Sequence, residues 1–115
     1  MLLAGSVTER VIGACIEVHR ALRPGLLERA YEECLCHELG LIGLGFERQV
    51  EIPLFYKDMQ VPGAYRADVV VERTVLLELE AVDRIARIHE AQLLTYLRLT
   101  GLRVGLLLNF HAPQP

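Results

Sequence analysis

The stretch RADVVVERTVLLELE, Arg66 to Glu80, places acidic side chains in and around two runs of strand-forming residues. Asp68 precedes three valines, and Glu78 and Glu80 close the second run. Because side chains alternate along a strand, Glu78 and Glu80 share one face, with Cα atoms roughly 7 Å apart. Unpaired charge on a covered sheet is costly, and clustered Asp and Glu oxygens are typical ligands of divalent metals. This face is therefore either open to water or the site of a cation.

The length and composition fit a single domain. The chain has 115 residues, of which 52% are hydrophobic and 23% charged, enough for one core and too few for two. We expect one domain over residues 1–110 and a C-terminal tail at 111–115. No apolar run reaches the ~20 residues of a transmembrane helix, and the N-terminus lacks the basic and apolar regions of a signal peptide. The sequence therefore predicts a cytoplasmic protein with no membrane partner.

The charge distribution limits how strongly the chain binds phosphate backbones. The formal net charge is −3, although the remainder of the chain is mildly basic once four candidate site acids are set aside. Those acids are Glu28, Asp68, Glu78 and Glu80. Such a balance predicts weak, salt-sensitive binding to nucleic acid at most.

Hydrophobic periodicity predicts an α/β domain with the order α-α-β-β-β-α-β. Three consecutive strands with short turns predict an antiparallel meander, and the last strand, reached by a helical crossover, is predicted to pair in parallel with the third. That last strand is apolar at almost every position, which favours the sheet interior with both faces covered. The predicted helices span about 6–22, 26–39 and 87–99, and the strands 46–56, 65–72, 75–80 and 103–110.

Two helices contribute further candidate site residues. Glu28 lies near the start of the second helix, where the helix dipole favours an acid without any chemical role. On the third helix, His89, Gln92 and Tyr96 share one face. For Gln92 and Tyr96 a packed helix face with a satisfied hydroxyl remains the alternative to a role in a site.

The arrangement of these residues resembles the PD-(D/E)XK nuclease superfamily. Its features here are an aspartate in one strand, a Glu-x-acid pair in the next, and a helix with Gln and Tyr four residues apart. Within that superfamily the chain resembles the GxxExxY protein family over about residues 11–110. The stretches that carry this closer resemblance are Gly25-Leu-Leu-Glu28-Arg-Ala-Tyr31, Arg66-Ala-Asp68, His89-Glu-Ala-Gln92-Leu-Leu-Thr-Tyr96-Leu and Gly105-Leu-Leu-Leu-Asn109-Phe110.

The resemblance implies a restriction-endonuclease-like core, a mixed sheet flanked by helices, with a metal site at the strand edge. It implies that Asp68, Glu78 and Glu28, with the carbonyl of Leu79, hold Mg²⁺ or Mn²⁺. It places Gln92 and Tyr96 close to that site. These assignments are expectations for the folded chain.

Glu80 departs from the family pattern, because most relatives have a lysine two positions after the strand glutamate. An ionised Glu80 cannot donate to a phosphoryl oxygen, although it can accept a proton from the attacking water. Lys57 is the one lysine in the sequence, and it lies in a predicted hairpin turn. We therefore expect Glu80, in place of the lysine, to affect catalysis more than metal binding.

Two functions of different classes follow from the resemblance. The first is a metal-dependent nuclease that cleaves phosphodiester bonds of DNA or RNA, with Glu80 as the general base. The second is a nuclease-fold domain without turnover that serves as a nucleic-acid-binding or assembly module, with a homodimer left open. A small-molecule phosphoesterase would use the same residues.

Overall fold

The computed structural model describes residues 4–111, except for the side chains of Ala4 and Ala64. The predicted order of elements is confirmed. The helices are α1 (Ala4–Leu22), α2 (Glu28–Leu41) and α3 (Arg87–Thr100), and the strands are β1 (Phe46–Tyr56), β2 (Met59–Val71), β3 (Val75–Glu80) and β4 (Val104–Asn109).

Within the described residues the strands form one mixed sheet in the order β1-β2-β3-β4. The first two pairings are antiparallel, and β3 pairs in parallel with β4 across the α3 crossover. Both the meander and the parallel pairing were predicted from the sequence, and both are confirmed. The result is an α/β fold with helices on both faces of a mixed sheet.

Two hydrophobic clusters divide the core between the faces of the sheet. On one face α1 and α2 pack on the sheet through residues such as Val11, Tyr31 and Leu35, all fully buried. On the other face Tyr96 of α3 packs near Leu76 of β3. Burial of each large apolar side chain stabilises the fold by about 1.5–3 kcal/mol. Glu78 and Glu80 alternate in phase with Leu76, so they lie on the face that α3 covers.

The hairpin of β1 and β2 is longer than the sequence indicated. We predicted that the second strand begins near residue 65, whereas β2 begins at Met59. Ile52 pairs with Tyr65 and Leu54 pairs with Val61, so three residues of β2 lie opposite the single residue Pro53. This irregularity accommodates prolines in both strands. A proline and a glycine in series favour a turn, which is why the sequence pattern hid the continuation of the strand.

The predicted position of β4 in the sheet interior is wrong for the described residues. β4 is the last strand in the sheet and has β3 as its neighbour on one side. Its apolar residues are covered on the two faces instead: Leu106 and Leu108 pack against the α1 and α2 cluster, and Leu93 of α3 closely approaches Gly105. An all-apolar strand therefore indicates that both faces of the sheet are covered at that strand. It does not indicate that the strand has a neighbour on each side.

The sequence predicted no regular structure at the C-terminal end of the chain. The predicted tail at 111–115 lies outside the described residues apart from His111, whose Nε2 atom is 3.0 Å from Asp83 Oδ1. None of the helices in residues 4–111 has the length and hydrophobicity to span a bilayer.

Candidate functional site

The antiparallel backbone pairing between β2 and β3 stops one residue short of Asp68. The last paired residues are Val69 and Leu77. One step further, Asp68 Oδ2 accepts a hydrogen bond of 2.8 Å from the backbone N–H of Leu79. The carboxylate of Asp68 therefore takes the place of a backbone acceptor and holds β3 at the point where the backbone pairing stops.

Glu78 is a buried acid with one unsatisfied oxygen. It is 6% exposed, and its Oε1 atom has no hydrogen-bond partner in the part of the chain that the structure describes. Burial raises the pKa of the Glu78 carboxyl to about 9, and the nearby Asp68 and Glu80 carboxylates add to that rise. At neutral pH the side chain therefore retains its proton in the metal-free protein, because a second buried negative charge beside Asp68 is unfavourable.

Glu28 and Glu80 complete a group of four interacting acids. Burial raises the pKa of Glu80, and the Glu28 carboxylate adds to this rise. The pKa of Glu28, in the first turn of α2, is also raised by burial and then by Asp68. The four acids predicted for the site therefore lie near enough to repel one another. In the arrangement of residues 4–111, however, no three His, Cys, Asp or Glu side chains form a group that could hold a metal ion.

α3 brings a second set of predicted residues to the same face of the sheet. The Tyr96 hydroxyl accepts a hydrogen bond of 2.6 Å from Gln92 Nε2. Burial raises the pKa of Tyr96, and Glu78 is among the further causes. His89 Nε2 is 4.0 Å from Glu80 Oε2. Tyr96 and His89 thus face the acidic cluster, while Gln92 is exposed and bonds to the Tyr96 hydroxyl.

A second polar cluster, between α2 and β1, was not predicted from the sequence. Glu32, one helical turn after Glu28, is buried, with 8% of its surface exposed. Its carboxylate accepts hydrogen bonds from Arg48 Nη2 and from Gln49 Nε2, both at 2.8 Å. Exposed Glu33 also pairs with Arg48 at 2.8 Å. No local pattern could reveal this cluster, because its partners are 16 and 17 residues apart in the chain.

An open cleft of about 450 Å³ joins the two polar clusters. Its lining combines acids with two arginines, and Arg29 extends an exposed side chain there. Lys57 lies elsewhere, in the β1–β2 turn, with its ammonium 5.5 Å from the centroid of the Tyr56 ring. The residues that line the cleft are Glu28, Arg29, Glu32, Glu33, Arg48, Gln49, Asp68 and Leu79.

Comparison with known proteins gives one match. No curated protein and no solved structure matches the chain. A family model described as the PD-(D/E)XK nuclease superfamily matches residues 5–115. The match includes both strands and both helices that carry the acidic cluster and its neighbours. The chain therefore belongs to the PD-(D/E)XK nuclease superfamily.

Proposed function

We propose that this protein is a divalent-metal-dependent nuclease that cleaves phosphodiester bonds of DNA or RNA. One observation carries the proposal: the buried Glu78 oxygen has no hydrogen-bond partner among the described residues and lies within a group of mutually repelling acids. A fold does not retain an unsatisfied buried carboxyl without a cost in stability. A cation at this place would remove that cost.

The chemistry of the donor set fits Mg²⁺ or Mn²⁺, since all the donors are oxygens. Members of the superfamily typically use Mg²⁺. Asp68 and Glu78 would hold the ion, with Glu28 from α2 and the carbonyl of Leu79 as further ligands. When bound, the metal supplies positive charge that offsets the carboxylates and acidifies a water molecule. Mg²⁺ is commonly held by one or two carboxylates together with water molecules, so this set does not require the group of three side chains that residues 4–111 lack.

The remaining residues orient the substrate and the attacking water. Glu80, on the same face as Glu78, is the general base that accepts a proton from that water. Arg29 lines the cleft next to Glu28 and contacts a substrate phosphate, a task that the family's lysine would otherwise share. Tyr96, with its hydroxyl held by Gln92, closes the site on the α3 side.

We further propose that the chain belongs to the GxxExxY branch of the superfamily. The residues of its Gly25–Tyr31 stretch have separate structural tasks that support this assignment. Gly25 has a φ of 114°, which favours glycine. The Tyr31 hydroxyl donates to the Arg23 carbonyl at 2.6 Å and accepts from the Leu26 N–H at 3.1 Å. The loop is thereby fixed immediately before Glu28.

Calorimetric titration with Mg²⁺ and Mn²⁺ tests metal binding, and an assay on single- and double-stranded DNA and RNA tests cleavage. We expect saturable binding in the millimolar range or tighter, lost in Glu78→Gln and retained in the exposed control Glu9→Gln. We expect Glu80→Gln to bind metal but to lower kcat by about 10²–10⁴-fold, the usual contribution of a general base. No binding of either metal at millimolar concentration would sink the proposal, and full activity in Glu80→Gln would remove the role of that residue.

A second candidate is a domain that binds nucleic acid or assembles with other chains without turnover. The observation that favours it is Glu80 itself, which stands where a lysine would help to stabilise the transition state. Saturable metal or nucleic-acid binding with no cleavage of any of the four substrates would favour this candidate.

A further inference from the structure

His89 makes an unusual connection at the start of α3. Its Nδ1 atom accepts a hydrogen bond of 2.9 Å from the backbone N–H of Ala86, the residue before the helix. The side chain thus satisfies a backbone donor, as Glu or Gln does in a capping box. Because Nδ1 accepts, the proton of the neutral imidazole must be on Nε2. The helix start therefore selects one tautomer.

The other ring nitrogen faces the acidic cluster. His89 Nε2 is 4.0 Å from Glu80 Oε2, and the two side chains are 22% and 19% exposed. This distance is longer than a hydrogen bond, and a shift of about 1 Å in either side chain would close it. With that shift the imidazole would connect the backbone at the start of α3 to a carboxylate at the end of β3.

We infer that His89 is a positioning residue for Glu80: its Nε2–H binds one carboxylate oxygen and leaves the other directed towards the reacting water. This inference rests on the proposed function, in which Glu80 is the general base. The orientation persists without a charge on the imidazole, because the neutral tautomer already carries the proton on Nε2.

Two substitutions separate the capping role of His89 from its positioning role. In His89→Asn the side-chain oxygen replaces Nδ1 and still accepts from Ala86, but no donor reaches Glu80. In His89→Gln the amide nitrogen replaces Nε2 and reaches Glu80, but the acceptor for Ala86 is lost. His37→Asn, on the exposed surface of α2, is the control for loss of a histidine.

We expect His89→Asn to keep the wild-type urea midpoint and KM and to lower kcat about 10-fold, as loss of an orienting partner commonly does. We expect His89→Gln to lower the urea midpoint and to retain most of kcat. His37→Asn should change neither. If kcat follows the urea midpoint in both His89 variants, His89 is only a helix cap and the inference is overturned.

Nitrogen NMR of the imidazoles provides a readout that does not depend on activity. We expect His89 to be protonated at Nε2 and not at Nδ1, and its Nε2 resonance to move in Glu80→Ala while that of His37 does not. An unmoved His89 resonance would overturn the contact. An inactive wild-type protein with a responsive His89 would overturn the proposed function, and with it the catalytic consequence, but not the contact.

Discussion

Glu78 combines burial, an unsatisfied oxygen and close acidic neighbours in one side chain. Its pKa of about 9 lies far above its ordinary value of 4.5, so the folded state binds the proton more tightly than the unfolded state does. Between these two pH values the unfolded chain has released the proton and the folded chain has not. The contribution of Glu78 to the free energy of unfolding therefore falls as pH rises through this window.

We predict that the metal-free protein becomes less stable between pH 5 and pH 9 relative to Glu78→Gln, which mimics the protonated acid. The difference should grow by at most about 1.4 kcal/mol per pH unit. Urea unfolding at several pH values with a chelator present measures it, with Glu9→Gln as the exposed control. Parallel pH profiles for wild type and Glu78→Gln would show that Glu78 is ionised at neutral pH in the folded state.

Strand alternation was enough to place Glu78 and Glu80 on one face and to identify Asp68 as a candidate. It could not show that the Asp68 carboxylate binds the N–H of Leu79, because that contact depends on where the backbone ladder stops. Nor could it show that Glu32 is buried, since the compensating Arg48 and Gln49 come from a different element. Periodicity assigns a face to a residue but does not identify its partners.

At the scale of elements, the second polar cluster joins α2 to β1. Its central residue, Glu32, lies one helical turn after Glu28. Glu32 and Arg48 form a partly buried, charge-assisted contact, and Gln49 has a φ of 50° where its side chain bonds to Glu32. Loss of Glu32 would remove these charge-assisted hydrogen bonds between α2 and β1, while Arg48 would keep its contact with Glu33. Glu33 pairs with the same arginine from an exposed position.

We predict that Glu32→Ala lowers the free energy of unfolding by about 1–3 kcal/mol, since it removes the hydrogen bonds that a buried carboxylate accepts from Arg48 and Gln49. Glu33→Ala should cost clearly less, as expected of an exposed ion pair. Chemical unfolding of both variants measures the difference. Equal losses would mean that the burial of Glu32 adds nothing to its contact with Arg48.

The elements themselves were largely predictable. β1 and β3 have the bounds that were predicted. The early part of β2 was missed where Pro62 and Gly63 interrupt the pattern, and the edge position of β4 was missed because its composition reflects its faces alone. Sheet order depends on contacts between distant segments, which periodicity does not encode.

At the scale of the whole molecule, the net charge of −3 must be reconciled with the anionic substrate that the proposed function requires. The cleft beside the acids offers the guanidinium of Arg48, already paired with Glu32 and Glu33, and that of Arg29. Of these two guanidinium groups, we expect that of Arg29 to be the one that contacts a phosphate in the cleft. Binding should then depend on few ionic contacts.

We predict that Arg29→Ala weakens binding of single-stranded DNA and lowers the slope of log K against log salt by about one. Lys57→Ala, at the distant hairpin turn, should leave that slope unchanged. Fluorescence anisotropy at several salt concentrations with Ca²⁺ in place of Mg²⁺ measures both variants. A similar change in slope for the two would indicate that the cleft is not the binding surface.

Asp68 has two roles: its carboxylate accepts a hydrogen bond from Leu79 that holds β2 and β3 together, and it is a proposed metal ligand. A chain that had lost turnover would still need an acceptor at position 68 to keep β2 and β3 together, so selection for stability alone would preserve an aspartate or an asparagine there. The presence of Asp68 in a sequence is accordingly weak evidence of activity. Glu78, whose burial only weakens the fold unless it is neutral or bound to a cation, is the more telling residue, and its loss would be the earliest sign of a domain released from catalysis.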